Sequence, residues 1–563
     1  MSYCSKCIDK PLWLNTLSFA VLMALSAAAS SQTAVIPSKS EQSGAGAGTV
    51  SGAGAGAGAV AGAGSSSGTG LSSGIQSDAS IGLKPTPTAW RATYETWKLP
   101  ENEKMGMLGI NLLFDVHENV KLGLGSYGAL SGERGGFITL GLAGELQHRL
   151  SPSWRVHGGL FVGGGGGRDG LALAGGGLMF RADAGITYET HGYGNIGLGV
   201  SYVSFPSGSI RSTQPYVMYE YPFFSAIHNG WDRPRTSGSN RDGLISSNRQ
   251  EFAVTYQYYK IPSSVVRDDG TPQYGNIQLI GAEWLSYLDD RWFIKVESAG
   301  AAGGQSNGYM QIMGGGGYRL PLSSSTALKI FATAGPAGGG GVDTGGGFLF
   351  GGGLALQQNI TKRTAIEFSV GGVRAPSASF KALNLGVNLN YQFGLPKAGS
   401  DMIEWSSLSN FDSAPIRVRA VNQTYLKGSD NWRSRDENMS VNTIGIQLDC
   451  FLSPNWFMTG QGLAAYSGKA GAYMAGLVGG GAHVALSDKW FLEAEALIGA
   501  AGGGSINVGS GLIGQYNIGI GYQASKSLSF MLTGGQIAAA NGDFRATVIG
   551  ASVGYRFLGF TAN

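Results

Sequence analysis

The chain ends the same way three times. Tyr221 and Phe223, Tyr391 and Phe393, and Tyr555 and Phe557 each finish an alternating segment with two aromatics spaced two apart. The openings match too: Thr93-Tyr94-Glu95-Thr96-Trp97-Lys98-Leu99-Pro100 parallels Thr255-Tyr256-Gln257-Tyr258-Tyr259-Lys260-Ile261-Pro262, with a weaker third copy around 421–427. The period of about 165 residues exceeds the 20–50 of a solenoid unit, so each copy is domain-sized. Each copy holds eight candidate strands, in the first roughly 88–98, 106–116, 119–129, 135–149, 154–164, 172–189, 194–205 and 211–223. The signal is alternation. Ile138, Leu140, Leu142 and Leu146 share one face of the fourth strand, and Thr139, Glu145, Gln147 and Arg149 the other. A half-buried sheet in a soluble protein alternates in the same way, so the period alone does not place the sheet in lipid.

Composition narrows the class. Glycine supplies 95 of 563 residues and charged residues only 13%, against about 7% and about 25% in ordinary soluble proteins. Aromatics at 10% exclude pure disorder, and the glycines follow no collagen triplet. A net charge of +3 without a dense basic patch excludes a nucleic-acid partner. The N-terminus has the layout of a secretory signal peptide: Lys6 and Lys10, an apolar stretch over 12–29, then small residues ending at Ala29. Cys4 and Cys7 fall in the removed part, which leaves Cys450 as a small packed residue. Residues 30–87 read as a disordered Gly/Ala/Ser linker. The further boundaries are 88–223, 250–393 and 416–557 for the repeats, 224–249 and 394–415 for linkers, and 558–563 for a tail.

The turns point to a membrane. Ser151-Pro152-Ser153-Trp154, Asp289-Asp290-Arg291-Trp292, Ser453-Pro454-Asn455-Trp456 and Ser487-Asp488-Lys489-Trp490 are tight polar turns followed by Trp. Up-and-down connectivity brings Trp154, Trp292, Trp456 and Trp490 to one end of the sheet. The closing aromatics Tyr221, Phe223, Tyr391, Phe393, Tyr555 and Phe557 fall there as well. A membrane–water interface selects such a collar. A sheet in lipid must close, because open edges leave backbone groups unpaired.

Ala551-Ser552-Val553-Gly554-Tyr555-Arg556-Phe557 resembles the closing strand of Gram-negative outer-membrane β-barrel proteins, and 385–393 is similar. The first copy departs from that pattern at Pro215 and Pro222, and 558–563 follows the last aromatic. The resemblance implies an all-β, transmembrane, antiparallel up-and-down barrel. It also implies a place in the outer membrane after signal-peptide cleavage, with outer-membrane lipid and the outer-membrane assembly machinery as partners. Three eight-stranded repeats allow three small tandem barrels, which the linker-like joins favour, or one barrel of about 24 strands.

Glycines cluster on equivalent strands, at 163–167, 338–341 and 502–504 among others. Barrel curvature is one reason. The other is close packing between neighbouring barrels or protomers, which would also permit self-association. No zinc, phosphate-loop or serine-hydrolase motif appears, and no catalytic residue, metal site or cofactor is read. The inward candidates are Glu145, Arg155, His157, Arg181 and Asp183 in copy one, Lys295, Glu297 and Glu367 in copy two, and Glu493 and Glu495 in copy three. Charges inside a narrow barrel must pair. The leading expectation is a non-enzymatic barrel with an envelope-structural role or small-solute passage. The alternatives are a wide channel or exporter, an adhesion protein using 262–276 and 428–440, and, last, an outer-membrane hydrolase.

Overall fold

The computed structural model describes residues 82–190, 194–232 and 244–562. The signal-peptide expectation, nearly all of the 30–87 linker and His191 lie outside the described residues. Eight antiparallel strands between Thr86 and Ser225 pair in sequence order, and the first, Thr86–Lys98, returns to the last, Arg211–Ser225. In the second sheet Ser247–Lys260 pairs with Lys381–Pro396 along its whole length, and Phe411–Lys427 pairs with Arg545–Ala562. These pairings close two further circuits of eight strands. One ladder pair, Gly394 opposite Ala562, joins the two circuits.

Several boundaries differ from expectation, since strands run into the linkers as far as Ser225 and Pro396 and begin again at Ser247 and Phe411. Residues 558–562 are not a loose tail but the end of the last strand, paired with 411–415. Gly82–Leu83, assigned above to the linker, pairs with Ile403–Glu404. Both segments carry apolar residues that complete one cluster, in which Leu83, Ile403, Trp405, Leu408 and Phe560 are buried together.

Short polar side chains make the tight turns. Asp289 Oδ1 accepts the backbone N–H groups of Arg291 and Trp292, both at 2.7 Å. Ser453 Oγ accepts those of Asn455 and Trp456 at 3.3 and 3.2 Å. Such side-chain-to-backbone bonds fix a reversal without a long loop.

The alternation sorts residues by polarity in the reverse of a soluble sense. Leu146, Leu160 and Leu198 point outward and are 66%, 65% and 63% exposed, whereas inward Glu220 and Arg417 are 0% exposed. Each interior has two storeys. The half towards the longer loops is apolar, with Trp97, Phe137 and Phe205 in the first barrel, Tyr259, Tyr309 and Phe380 in the second, and Tyr425, Trp432 and Phe544 in the third. The half towards the tight turns is charged.

The three barrels meet in a cycle. The fifth strand of the first (Trp154–Gly166) lies against the third strand of the third (Trp456–Ser467). The fifth of the second (Thr326–Gly338) lies against the third of the first (Val120–Ser131). The fifth of the third (Trp490–Gly502) lies against the third of the second (Trp292–Gly303). One pair of strand positions serves all three seams, as in a closed ring of like subunits.

Candidate functional site: the charged lumens and their closures

In the first barrel Glu220 gathers three cations. Arg91 Nε donates to it at 3.1 Å, Lys121 Nζ lies 3.4 Å away, and Arg155 Nη2 donates at 2.5 Å. Arg91 Nη2 also donates to Glu145 at 2.9 Å. Arg181 bridges Glu95, at 3.0 Å, and Asp183. His157 Nε2 is 2.7 Å from the Tyr216 hydroxyl, and its Nδ1 is 3.2 Å from that of Thr187. The second barrel places Lys329 Nζ between Glu251 and Glu367 at 2.6 and 2.7 Å. Lys295 Nζ sits 2.7 Å from Glu283 and 3.1 Å from Glu297. In the third, Arg417 grips Glu493 with two bonds of 2.8 Å and Asp449 at 2.8 Å. Arg419 reaches Asp449 and Glu495, and His483 Nδ1 lies 2.8 Å from Glu493.

All ten inward candidates therefore sit in the lumens, joined to partners that sequence reasoning missed: Arg91, Glu95, Lys121 and Glu220, then Glu251, Glu283 and Lys329, then Arg417, Arg419 and Asp449. Parity could have found them. Arg417 and Arg419 alternate with Ile416 and Val418 as cleanly as the residues that were chosen. Desolvating two charges costs several kcal/mol per ion unless the geometry and extra hydrogen bonds offset it. Here they do, through neutral donors such as Asn388 to Glu283 and Glu367. Cavities of about 30 Å³ in the first barrel and 20 Å³ in the second remain, room for a water or two. Among the described residues no group of three or more His, Cys, Asp or Glu is placed to hold a metal ion.

The loops 262–276 and 428–440, expected as exposed surface elements, fold over the barrels. Val265 and Trp432 are fully buried, and Trp432 stacks on Phe544 at 6.1 Å with the rings 13° apart. At the opposite end Trp231, from the connector between barrels one and two, closes barrel three. Its ring meets that of Phe451 at a tilt, centres 4.3 Å apart, and Arg556 lies 4.3 Å above it.

Trp154, Trp292, Trp456 and Trp490 are all exposed at the turn end, and three meet a tyrosine tilted or edge-on with ring centres 5.0 Å apart: Tyr188, Tyr318 and Tyr522. The closing pairs divide. Tyr221 is half-buried; Tyr555 is exposed and donates to Asn229 at 2.8 Å. Phe223 is buried. Tyr391, Phe393 and Phe557 do not reach the collar expected of them. They are buried with Phe252, Trp284, Ile416 and Leu448, because the closing edges of barrels two and three face each other.

The glycines divide by parity. Inward ones make room for rings: a Cβ on Gly163 would lie 2.8 Å from the Phe161 ring. Outward ones let barrels touch. A Cβ on Gly164 would lie 2.7 Å from Ala465 O of barrel three, and one on Gly128 2.6 Å from the Pro336 side chain of barrel two. The loops there bond directly, Gly135 N to Gly345 O at 2.8 Å and Gly471 N to Gly175 O at 3.0 Å.

No protein-family model and no curated protein matches the chain. Among solved structures it is similar to a ferric enterobactin receptor mutant from Pseudomonas aeruginosa, at 10% identity over 84% of this chain and 81% of that one, TM-score 0.26. It is similar to the siderophore receptor PirA from Acinetobacter baumannii, at 10% identity over 84% and 80%, TM-score 0.26. Pseudomonas aeruginosa OpdQ follows at 10% identity over 85% and 100%, TM-score 0.20. The ladders of this chain are those of an all-strand, antiparallel β-barrel protein, consistent with the resemblance of its closing strands to Gram-negative outer-membrane barrels.

Proposed function

We propose that the chain is a non-enzymatic, non-conducting protein of the Gram-negative outer membrane, in which three small barrels stand side by side as an envelope-structural unit. One observation carries the reading: each barrel is apolar outside and filled inside. Outward Leu, Ile, Val and Phe in water would each forfeit about 1.5–3 kcal/mol of burial, and lipid removes that cost. The interior charges are paired, and an aromatic layer lies above them. A solute crossing a barrel would have to displace both, breaking pairs whose loss costs about 3–5 kcal/mol each. The fourteen-residue ladder from Ser247 to Lys260 favours three circuits over one wide barrel, so the channel and exporter readings lose support. The adhesion reading loses some too, since each of the two loops is tied to its barrel by a buried residue, Val265 and Trp432. Outer-membrane lipid against the outward leucines, and the assembly machinery reading Ala551–Phe557, complete the proposal.

The test is conductance of the refolded mature chain in a planar bilayer. Folded protein should add no steps to the baseline current. Large, stable steps would overturn the reading in favour of passage.

A further inference from the structure

The three turn-end mouths differ. In barrel one the cations are answered in place: Arg149 and Arg155 lie 2.8 and 3.4 Å from Glu189. Barrel three is plugged by Trp231. Barrel two is neither. Its mouth opens into a cavity of about 630 Å³ whose wall carries Arg249, Lys362, Arg363 and Lys397 against Asp289 and Asp290.

These acids answer the cations only in part: Asp290 lies within electrostatic reach of Arg249 and Arg319. Asp289 spends one oxygen on the backbone N–H groups of its own turn. Among the described residues, no carboxylate lies within 4 Å of Lys362 or Lys397 in an ion pair. Arg363 leans on the Tyr391 hydroxyl at 3.1 Å, with Asp412 3.8 Å away. Arg249 lies over the Tyr287 ring at 4.7 Å and gives one Nη to the buried Glu251 at 2.5 Å, while its Nε is buried without a partner. Arg319, within electrostatic reach of Arg249, has the same orphan Nε. The place of Glu189 belongs to Asn359: Trp154 opposes Tyr188 just before Glu189, and Thr326 opposes Gln358 just before Asn359. Barrel two therefore has a neutral side chain where barrel one has Glu189, and Asn359 accepts a hydrogen bond from Gln392 on the cavity wall, beside lysines that carry no ion pair.

We propose that the turn-end mouth of the second barrel binds an oxyanion, a phosphate or a closely spaced pair of carboxylates, presented from the water on that side. Guanidinium forks bind such groups with two parallel hydrogen bonds, and the lysines add point charges at the rim. Arg363, Lys362 and Lys397 supply the contacts, since Glu251 already holds Arg249, and the site exists whether or not the barrels conduct.

Isothermal titration of inorganic pyrophosphate into the refolded full chain in neutral detergent tests this. Saturable binding is expected, weakening as salt screens it. Lys362→Gln with Arg363→Gln should weaken it tenfold or more, and Asn359→Glu should also weaken it by placing a carboxylate beside these cations. Lys489→Gln, at a turn of barrel three, should leave it within twofold. Folding of each variant is checked by circular dichroism and heat-modifiable mobility. Repeating the titration with phosphatidylglycerol in the micelle identifies the source. Competition assigns the site to a lipid headgroup, and no competition to a water-borne anion. No binding to the folded chain, or equal binding by the Asn359→Glu protein, overturns the proposal.

Discussion

The space inside each barrel and the space between barrels are closed by opposite means. Inside, long charged side chains from several strands fill the lumen and answer one another, as Arg417 does with Asp449 and Glu493. Between barrels, side chains are removed, so that Gly164 meets the backbone of Ala464 and Ala465 and Gly502 meets Gly308. The difference follows from what surrounds each space. A lumen must be filled without water or lipid, and an ion-pair network fills it only if every member is satisfied. A seam at lipid depth gains nothing from apolar bulk, because lipid is equally apolar. There, close backbone approach supplies the contact. Only towards the turn end, where Phe252, Trp284, Phe393 and Phe557 gather, does a seam turn to large rings.

The lumen half of this comparison breaks most sharply at Arg417. Arg417→Met leaves Asp449 and Glu493 buried without their main partner and should cost about 3–5 kcal/mol in denaturant unfolding from detergent. Replacing all three by apolar residues of similar size should restore most of the loss, because the desolvation penalty goes with the charges. A single-variant cost below about 1 kcal/mol, the usual worth of an exposed pair, would mean that water already reaches the network.

Seams should respond less, and only on the faces that touch. Gly164→Val forces a branched side chain against a neighbouring backbone, and overpacking of this kind costs about 1–3 kcal/mol. It should also expose the connectors to protease. Gly476 points outward with nothing within 4 Å of a built Cβ, so Gly476→Ala should stay within about 0.5 kcal/mol of the parent. Equal effects at the two positions would show that the glycines serve strand curvature everywhere rather than contact at the seams.

How much of this was legible follows the same division. The strands, the turns and the four exposed tryptophans are local, and alternation with Asx- and Ser-based turns exposes them directly. The ten inward charges were legible by the same parity. Their partners carried the same alternation, on the first and last strands and also at Lys121, Glu283, Lys329 and Asp449 between them, and were missed although parity marks them equally. The seam was not legible. Nothing in Gly163 and Gly164 says that one makes room for Phe161 and the other for a different barrel. That depends on which barrels stand together, a long-range fact. Nor could spacing reveal that Phe557 and Phe393 would find each other across a seam instead of joining the collar, or that Trp231, far from barrel three in sequence, would close it.

The smallest effect concerns the loops that roof the lumens. Glu437, in the loop that carries Trp432, is held below the usual carboxylate range by its hydrogen bond from Lys427 and by the backbone N–H of Asn431. A carboxylate with a depressed folded value adds stability that is fully present above its unfolded value, about 4.3, and is lost as pH falls through the folded one. Protection of 428–440 in hydrogen exchange, corrected for intrinsic rates, should therefore be level from pH 7 to about 5. It should decline only below that. Glu437→Gln should flatten the acid decline and leave the neutral range slightly less protected. Because Trp432 remains buried whatever the state of Glu437, the decline should stay local to the loop. If acid instead released the loop together with the strands of barrel three, the roof and the ion-paired storey beneath it would be one cooperative unit, and the division between local closure and lumen filling would fail at that barrel.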